Sequence, residues 1–299
     1  MTERYGMTEP DTTESAKLYD VRYSRYEGLH EARWRSVLAL ARSSATRALG
    51  LRRTPGAKVW PFLLVLLAFL PVVAAIGIPL LVPVVGSPQE VLSYADLVTT
   101  LIPITVAFAA TVLPSLLTRE RRDRVLSLYF ATAVSPTEYV LGKVLAALAL
   151  MSLVGLAPLV VLFLGTILTA DAPLQQLGDD ISGLPGVLAG GLVIAVYYAA
   201  IGLLAGSLTG KRVFAVGGLL AVLLVTPVLS GLAFAFSDNR DLLALDLATT
   251  PIRAAATLLP GRVAEQQPPS ATIVWAVVVV VVLVAAAVLA ARYDDGDST

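Results

Sequence analysis

Six apolar runs, each long enough to cross a lipid bilayer, constrain what this 299-residue chain can fold into. They cover residues 59–84, 95–117, 140–169, 184–209, 213–236 and 272–292. A spanning helix needs about 20 apolar residues, because each residue advances the helix by about 1.5 Å and hydrocarbon is about 30 Å thick. The runs therefore predict an all-α integral membrane protein with six transmembrane helices in residues 59–292. Prolines inside the runs predict kinks at Pro71, Pro103, Pro158 and Pro227.

The positive charges of the connections predict how these helices are oriented. Of the 22 lysines and arginines, 19 precede the first run, lie in the second and fourth connections, or end the last run. The other three, Arg240, Arg253 and Arg262, lie in the fifth connection. Positively charged connections stay in the cytoplasm, so both termini are predicted to be cytoplasmic. Residues 1–20 lack the apolar segment of a secretory signal peptide, and none is expected.

The N-terminal region divides into a polar cytosolic tail, residues 1–30, and an amphipathic segment with its linker, residues 31–58. Apolar side chains recur at helical spacing on one face of that segment, while four arginines fall outside it. The face comprises Trp34, Val37, Leu38, Ala41, Ala45, Ala48 and Leu49. This pattern favours a helix lying flat in the membrane interface. The alternative is a surface helix packed on a cytosolic domain.

Charged residues crowd the second connection, residues 118–143. Its charged part comprises Arg119, Glu120, Arg121, Arg122, Asp123 and Arg124, and the apolar Val125, Leu126 and Leu128 follow. Ser135, Pro136 and Glu138 then match a capping box that starts a new helix. This arrangement favours a short helix that docks on a soluble partner. The alternative is a loop whose charges only fix membrane orientation.

The same connection resembles the loop between the second and third spans of ABC transporter permeases of the bacterial type 2 exporter class. The resemblance is carried by Glu120, Leu126, Leu128, Ser135 and Glu138, and by the ending Leu141, Gly142 and Lys143. It implies a coupling helix at 119–130 that docks on a cytosolic ATPase, with two ATPase copies in the complex, and an elbow helix before the first span. It also implies a second copy of the chain as partner, a location in the bacterial plasma membrane, and ATP and magnesium bound only by the ATPase.

The fifth connection, about residues 237–271, is too long for a plain turn. It contains several leucines, and Thr250 before Pro251 matches a helix start. We predict two short helices on the outer side. They either dip into the outer leaflet, as in the re-entrant pair of the resembling family, or form a helical surface loop.

Several kinds of chemistry are not expected in this chain. It has no cysteine and one histidine, His30, so no thiolate or histidine metal centre is expected. Residues 206–211 do not match a phosphate-binding loop, because Arg212 replaces the Ser or Thr that would bind magnesium. Proton-coupled transporters usually need an ionisable group in the middle of a span, whereas Asp96 lies near a membrane edge. Proton-coupled transport is therefore disfavoured. We expect no catalytic residues, no cofactor site and no nucleic-acid partner.

A few polar residues interrupt the apolar runs and are candidates for a substrate path. They are Thr105, Thr111, Tyr197, Tyr198, Thr226 and Ser230. The alternative is that they hydrogen-bond between helices. Gly202, Gly206 and Gly210 recur every four residues, which favours close helix packing within the chain over a dimer contact.

The function predicted from these features is the membrane-spanning permease subunit of an ATP-driven exporter. The low polarity of the runs suits a hydrophobic or amphipathic cargo such as a small molecule or a lipid. A membrane scaffold that binds an ATPase without moving cargo is the main alternative. An ATP-independent channel is disfavoured, because it should have a polar pore lining. Residues 293–299 are predicted to form an acidic cytosolic tail.

Overall fold

The computed structural model describes residues 33–51, 55–82, 86–122, 135–261 and 268–294. All regular structure in these ranges is helical, which confirms the predicted all-α class. The α-helices are α1 Arg33–Ala48, α2 Pro55–Leu81, α3 Pro88–Val91, α4 Tyr94–Thr100, α5 Ile102–Val112, α6 Ser115–Arg122, α7 Pro136–Gly155, α8 Ala157–Thr169, α9 Pro173–Asp180, α10 Leu184–Leu208, α11 Arg212–Ser237, α12 Thr250–Ala256 and α13 Ala271–Asp294. Two 3₁₀-helices span Ile181–Gly183 and Arg240–Leu245.

Five helical segments among the described residues are long and apolar enough to cross a membrane. They are Lys58–Leu81, Pro136–Gly155, Pro173–Leu208, Arg212–Ser237 and Ala271–Tyr293. The predicted run 95–117 is instead broken: Tyr94–Thr100 and Ile102–Thr118 meet at an angle of 47°. Counted as one bent span, this pair raises the number to six.

Proline shapes two of the breaks between these helices. α4 ends before Pro103 and α7 ends before Pro158, and each proline lies in the first turn of the helix that follows. Proline fits there because its missing N–H would have no helical partner. By contrast, α2 and α11 run without a break through Pro71 and Pro227. The kink predicted at Pro103 is therefore confirmed by the 47° angle, whereas near Pro158 the structure shows a break between two helices.

Helix α10 lies at the centre of the packing and contacts α7, α11, α12 and α13. Its glycines allow close approach to other parts of the chain. A Cβ atom at Gly202 would lie 2.4 Å from a Leu113 methyl carbon, and one at Gly206 would lie 3.0 Å from the Pro114 carbonyl oxygen. These two glycines thus pack within the chain, as predicted, whereas a Cβ at Gly210 would meet open space.

The fifth connection forms two short helices, as predicted, the first of them a 3₁₀-helix. Helix α12 begins at Thr250, also as predicted, and contacts α4, α10 and α13. Six of its seven residues are buried, so the surface-loop alternative is wrong for this helix. At the C-terminus, α13 continues to Asp294 and Tyr293 is buried. The first two residues of the predicted acidic tail, 293 and 294, therefore belong to the last helix.

Candidate functional site

The segment predicted to dock on a partner, residues 119–130, is called the docking loop here; it begins in the last turn of α6 and precedes α7. The backbone of Arg119, Glu120, Arg121 and Arg122 is helical and completes α6, whereas Asp123, Arg124, Val125, Leu126 and Leu128 lie outside the described residues. On the far side, the Ser135 hydroxyl accepts from the Glu138 N–H at 3.3 Å. The Glu138 carboxylate accepts from the Ser135 N–H at 2.9 Å, which completes the predicted capping box. The contacts of the docking residues themselves stay a prediction.

Two turns into α7, a buried lysine links three parts of the chain. Lys143 is 2% exposed, and its Nζ donates to the Ser44 hydroxyl of α1 at 3.0 Å. The ammonium also lies 5.2 Å from the centre of the Tyr139 ring, which stacks against Tyr293 of α13. We call these four residues the Lys143 junction. A buried ammonium needs such partners, because desolvating a charge is costly unless it is paired and hydrogen-bonded.

Helix α1 is present where the amphipathic pattern predicted it, and its apolar face is divided. Val37 and Ala41 are buried, on the side where α1 packs against α7. The approach is close enough that a Cβ atom on Gly142 would lie 2.8 Å from a Leu40 methyl carbon. Trp34 and Leu38 remain 55% and 46% exposed. The other predicted members of the face, Ala45, Ala48 and Leu49, are half-buried. One edge of the face thus packs on the protein and the other is exposed, and its predicted contact with the membrane interface stays a prediction.

Two arginines bind the carbonyl groups at the ends of spanning helices. Arg292 of α13 donates to the Ser207 carbonyl of α10 at 2.7 Å. Arg212, at the start of α11, donates to the Thr111 carbonyl of α5 at 3.0 Å. The last carbonyls of a helix lack intrahelical partners and carry partial negative charge, so guanidinium groups stabilise them. These contacts connect α5, α10, α11 and α13 at the end of the bundle that also holds the Lys143 junction.

The six candidate substrate-path residues mostly make hydrogen bonds within the protein. Tyr197 donates to the Leu247 carbonyl at 3.1 Å, and Tyr198 donates to the Ala248 carbonyl. Thr226 accepts from the Leu247 N–H at 3.2 Å. These bonds fit the alternative role of joining helices. For the remaining three, the Thr111 hydroxyl accepts from the Trp60 indole, Ser230 donates to the Pro227 carbonyl, and Thr105 is buried in α5. Substrate contact by any of the six stays a prediction.

Asp246 is a buried carboxylate that the sequence analysis did not single out. One oxygen accepts from the N–H groups of Ala248 and Thr249, at 2.9 and 3.2 Å, and the other accepts from the Thr249 hydroxyl. Thr250 then donates to the carbonyls of Ala244 and Asp246. This network fixes the turn between the 3₁₀-helix and α12, and Tyr197, Tyr198 and Thr226 hold the same turn from α10 and α11.

The burial of Lys143 and the role of Asp246 each had a sequence pattern that points to them. Lys143 falls seven residues after Pro136, where α7 begins, so it lies two turns inside a predicted spanning helix rather than in a loop. Asp246 stands four residues before the helix start at Thr250, and aspartate is favoured in turns that lead into helices. Neither pattern identifies the distant groups that complete each site, which are Ser44 and Tyr293 at Lys143, and Tyr197, Tyr198 and Thr226 around the turn that Asp246 holds.

Comparison with known protein families gives one match. The family model described as ABC-2 family transporter protein matches residues 78–293, which is more than half of the chain. The match includes the docking loop, the capping box and all helices from α3 to α13 except the last residue of α13. No curated protein matches the chain.

Proposed function

This chain belongs to the ABC-2 family of transporter proteins and is a membrane permease component. From that premise we propose that it is the membrane-spanning subunit of an ATP-driven exporter. In this proposal two copies of the chain, each with six spans, bind two copies of a cytosolic ATPase. ATP and magnesium bind to that ATPase. The protein resides in the bacterial plasma membrane with both termini in the cytoplasm.

The observation that carries the proposal is the anchoring of both helices that flank the docking loop. Helix α6 continues the bent α4–α5 span, and α7 begins with a capping box and is tied to α1 and α13 by the Lys143 junction. A loop held by two ordered ends transmits a push to the helices behind it. ATP-driven closure of the ATPases would supply that push and shift the spans between inward and outward access.

The predicted cargo is hydrophobic or amphipathic. The polar residues of the spans are largely engaged in bonds between helices, as Tyr197, Tyr198 and Thr226 are. They therefore offer few groups that could replace the water around an ion or a sugar. The apolar faces of α2, α11 and α13 are exposed in the single chain. In this proposal membrane lipid covers the parts that the second copy leaves free, and an amphipathic cargo would be drawn from that lipid.

Charge reversal in the docking loop tests the proposal. The permease is co-expressed with a candidate ABC ATPase from the same genome, and three quantities are measured on one preparation: native mass, ATPase rate, and cargo export from membrane vesicles. We expect a mass of two permeases plus two ATPases. Replacing Glu120 with Lys, or Arg121 and Arg122 together with Glu, should weaken co-purification or separate ATP hydrolysis from export. Membrane insertion should be unaffected.

Asp179→Lys is the matched control, because this exposed carboxylate lies on the predicted outer side. It should leave all three quantities at the wild-type level. If the docking-loop variants also match wild type, the loop only fixes orientation and the proposal fails. If the ATPase binds but purified vesicles export nothing that is offered, the scaffold function is favoured instead.

A further inference from the structure

A cavity of about 550 Å³ lies between α4, α12 and the first turn of α13. None of its lining residues belongs to the docking loop or to the Lys143 junction. Ala95, Ala256 and Ala271 line it, one from each helix, and their small side chains leave the space open. Sites for small organic molecules typically measure about 300–1,000 Å³, so the cavity is large enough for a ligand.

The walls of the cavity favour hydrocarbon. Ile102, Ile252 and Val274 supply apolar surface. Two lining threonines use their hydroxyl protons inside the protein: Thr99 donates to the Ala95 carbonyl at 2.8 Å, and Thr257 donates to the Ala254 carbonyl at 2.7 Å. These hydroxyls therefore offer no donor to a polar ligand. An alkyl chain fits such walls, because its burial removes apolar surface from water.

The two charged residues of the lining differ in how they are engaged. Arg253 donates to the Leu243 carbonyl at 2.6 Å and has further interactions within the protein. Asp96 is exposed, and its Oδ2 atom accepts from the Ser93 hydroxyl at 2.6 Å. Its Oδ1 atom accepts no hydrogen bond from the part of the chain that the structure describes. The Arg253 guanidinium is thus engaged within the protein, and the Asp96 carboxylate is the more exposed of the two charged groups that line the cavity.

We propose that this cavity binds a single-chain amphiphile with a cationic head group. The alkyl chain lies along the apolar walls, and the ammonium group pairs with Asp96 at the open side. The inference narrows the predicted cargo to one chemical class, and it rests on the proposed function only for the role of that ligand as cargo. Binding itself needs no ATPase and is measured without one.

Trp275 is a suitable reporter of this binding. Its indole donates to the Thr257 hydroxyl at 3.2 Å, which places it beside the cavity wall. The chain has three tryptophans, so Trp34→Phe combined with Trp60→Phe leaves Trp275 alone. The full-length protein is placed in lipid nanodiscs and titrated with 12-bromododecyltrimethylammonium, whose bromine quenches tryptophan fluorescence on contact. We expect saturable quenching, at least about fivefold tighter than with 12-bromododecanol, which lacks the charge.

Variants and a second reporter distinguish the cavity from the surrounding lipid. Asp96→Asn should remove the preference for the cationic probe. Ala256→Phe should abolish saturable quenching by filling the space, and Ala271→Leu at the more exposed wall should weaken it if Ala256→Phe does not fold. A protein that retains only Trp60, which is 50% exposed on α2, should show non-saturable quenching.

Equal affinity for the two probes, or saturable quenching that survives in a folded cavity-filling variant, would overturn the inference. The result is separable from the proposed function. Charge reversal in the docking loop should leave amphiphile binding unchanged, and a failure to couple to an ATPase would not alter the titration.

Discussion

Lys143 shows how much a single residue contributes to this fold. Its ammonium is almost wholly buried, yet it lies among groups that suit a cation: the Ser44 hydroxyl and the face of Tyr139. A buried charge contributes to specificity more than to stability, because replacing it with an apolar side chain is often neutral while removing only its partner is costly. We therefore expect the junction mainly to specify how α1 packs on α7, through the Ser44 hydrogen bond and the Tyr139 ring.

This reasoning predicts the sign of a double-mutant cycle. Ser44→Ala should lower the stability of the purified protein by about 1.5–3 kcal/mol, because it removes a hydrogen bond to a charged group. Lys143→Met in the same chain should restore most of that loss, since no buried charge then remains. The measurement is the unfolding midpoint in detergent at one fixed heating rate. Ser36→Ala, at an exposed serine of the same helix, is the control and should cause no shift. Additive losses in the double variant would contradict the prediction.

Helix α12 is too short to be stable by itself. Its seven residues are held in place by the turn before it, in which Asp246 accepts three hydrogen bonds. It is also held by close contact with α10, where a Cβ atom on Gly190 would lie 3.3 Å from the Ala255 carbonyl oxygen. Isolated helices of this length are marginal in water, so α12 depends on these tertiary contacts.

Asp246→Ala should therefore destabilise α12 together with the turn that precedes it. Two backbone N–H groups and one hydroxyl would lose their acceptor in a buried site, at a cost of about 1–3 kcal/mol or more. Hydrogen exchange, followed by mass spectrometry, should become faster across residues 244–257, while α7 keeps its protection. Asp171→Ala removes an exposed carboxylate of another predicted outer connection and should change neither region. Unchanged exchange at 244–257 in the Asp246 variant would show that packing alone holds α12.

The sequence predicted those helical features that are set within a short segment, and it did not predict contacts between distant residues. The apolar runs and the capping box at Ser135 and Glu138 arise within short segments, and both are seen in the structure. The burial of α12 and the Lys143 junction arise from residues that are distant in sequence, Ser44 and Lys143 being 99 positions apart. For the same reason the sequence could not distinguish a substrate-path role from a structural hydrogen bond at Tyr198, whose acceptor is 50 positions away.

Hydrogen bonds link segments that the charge pattern assigned to the same side of the membrane. At one end, Arg292 binds the end of α10, Arg212 binds the end of α5, and Lys143 binds α1. At the other end, the Ser270 N–H donates to Asp241 at 2.9 Å, and Trp275 donates to Thr257. The positive residues of the first end favour its predicted location in the cytoplasm, since positively charged connections resist translocation.

Labelling of single cysteines tests that orientation on the intact molecule, and the chain contains no native cysteine to interfere. Cysteines are placed one at a time at Asp179, Ser270 and Ser135, which are all exposed in the structure. A membrane-impermeant maleimide should modify positions 179 and 270 in intact cells, and position 135 only after the membrane is permeabilised. Ser207→Cys, which is 0% exposed, should resist modification under both conditions and serves as the control for burial. Because Ser135 caps the helix that follows the docking loop, modification of position 135 in intact cells would place the loop outside. No cytosolic ATPase could then reach it, and both the orientation and the proposed coupling would be wrong.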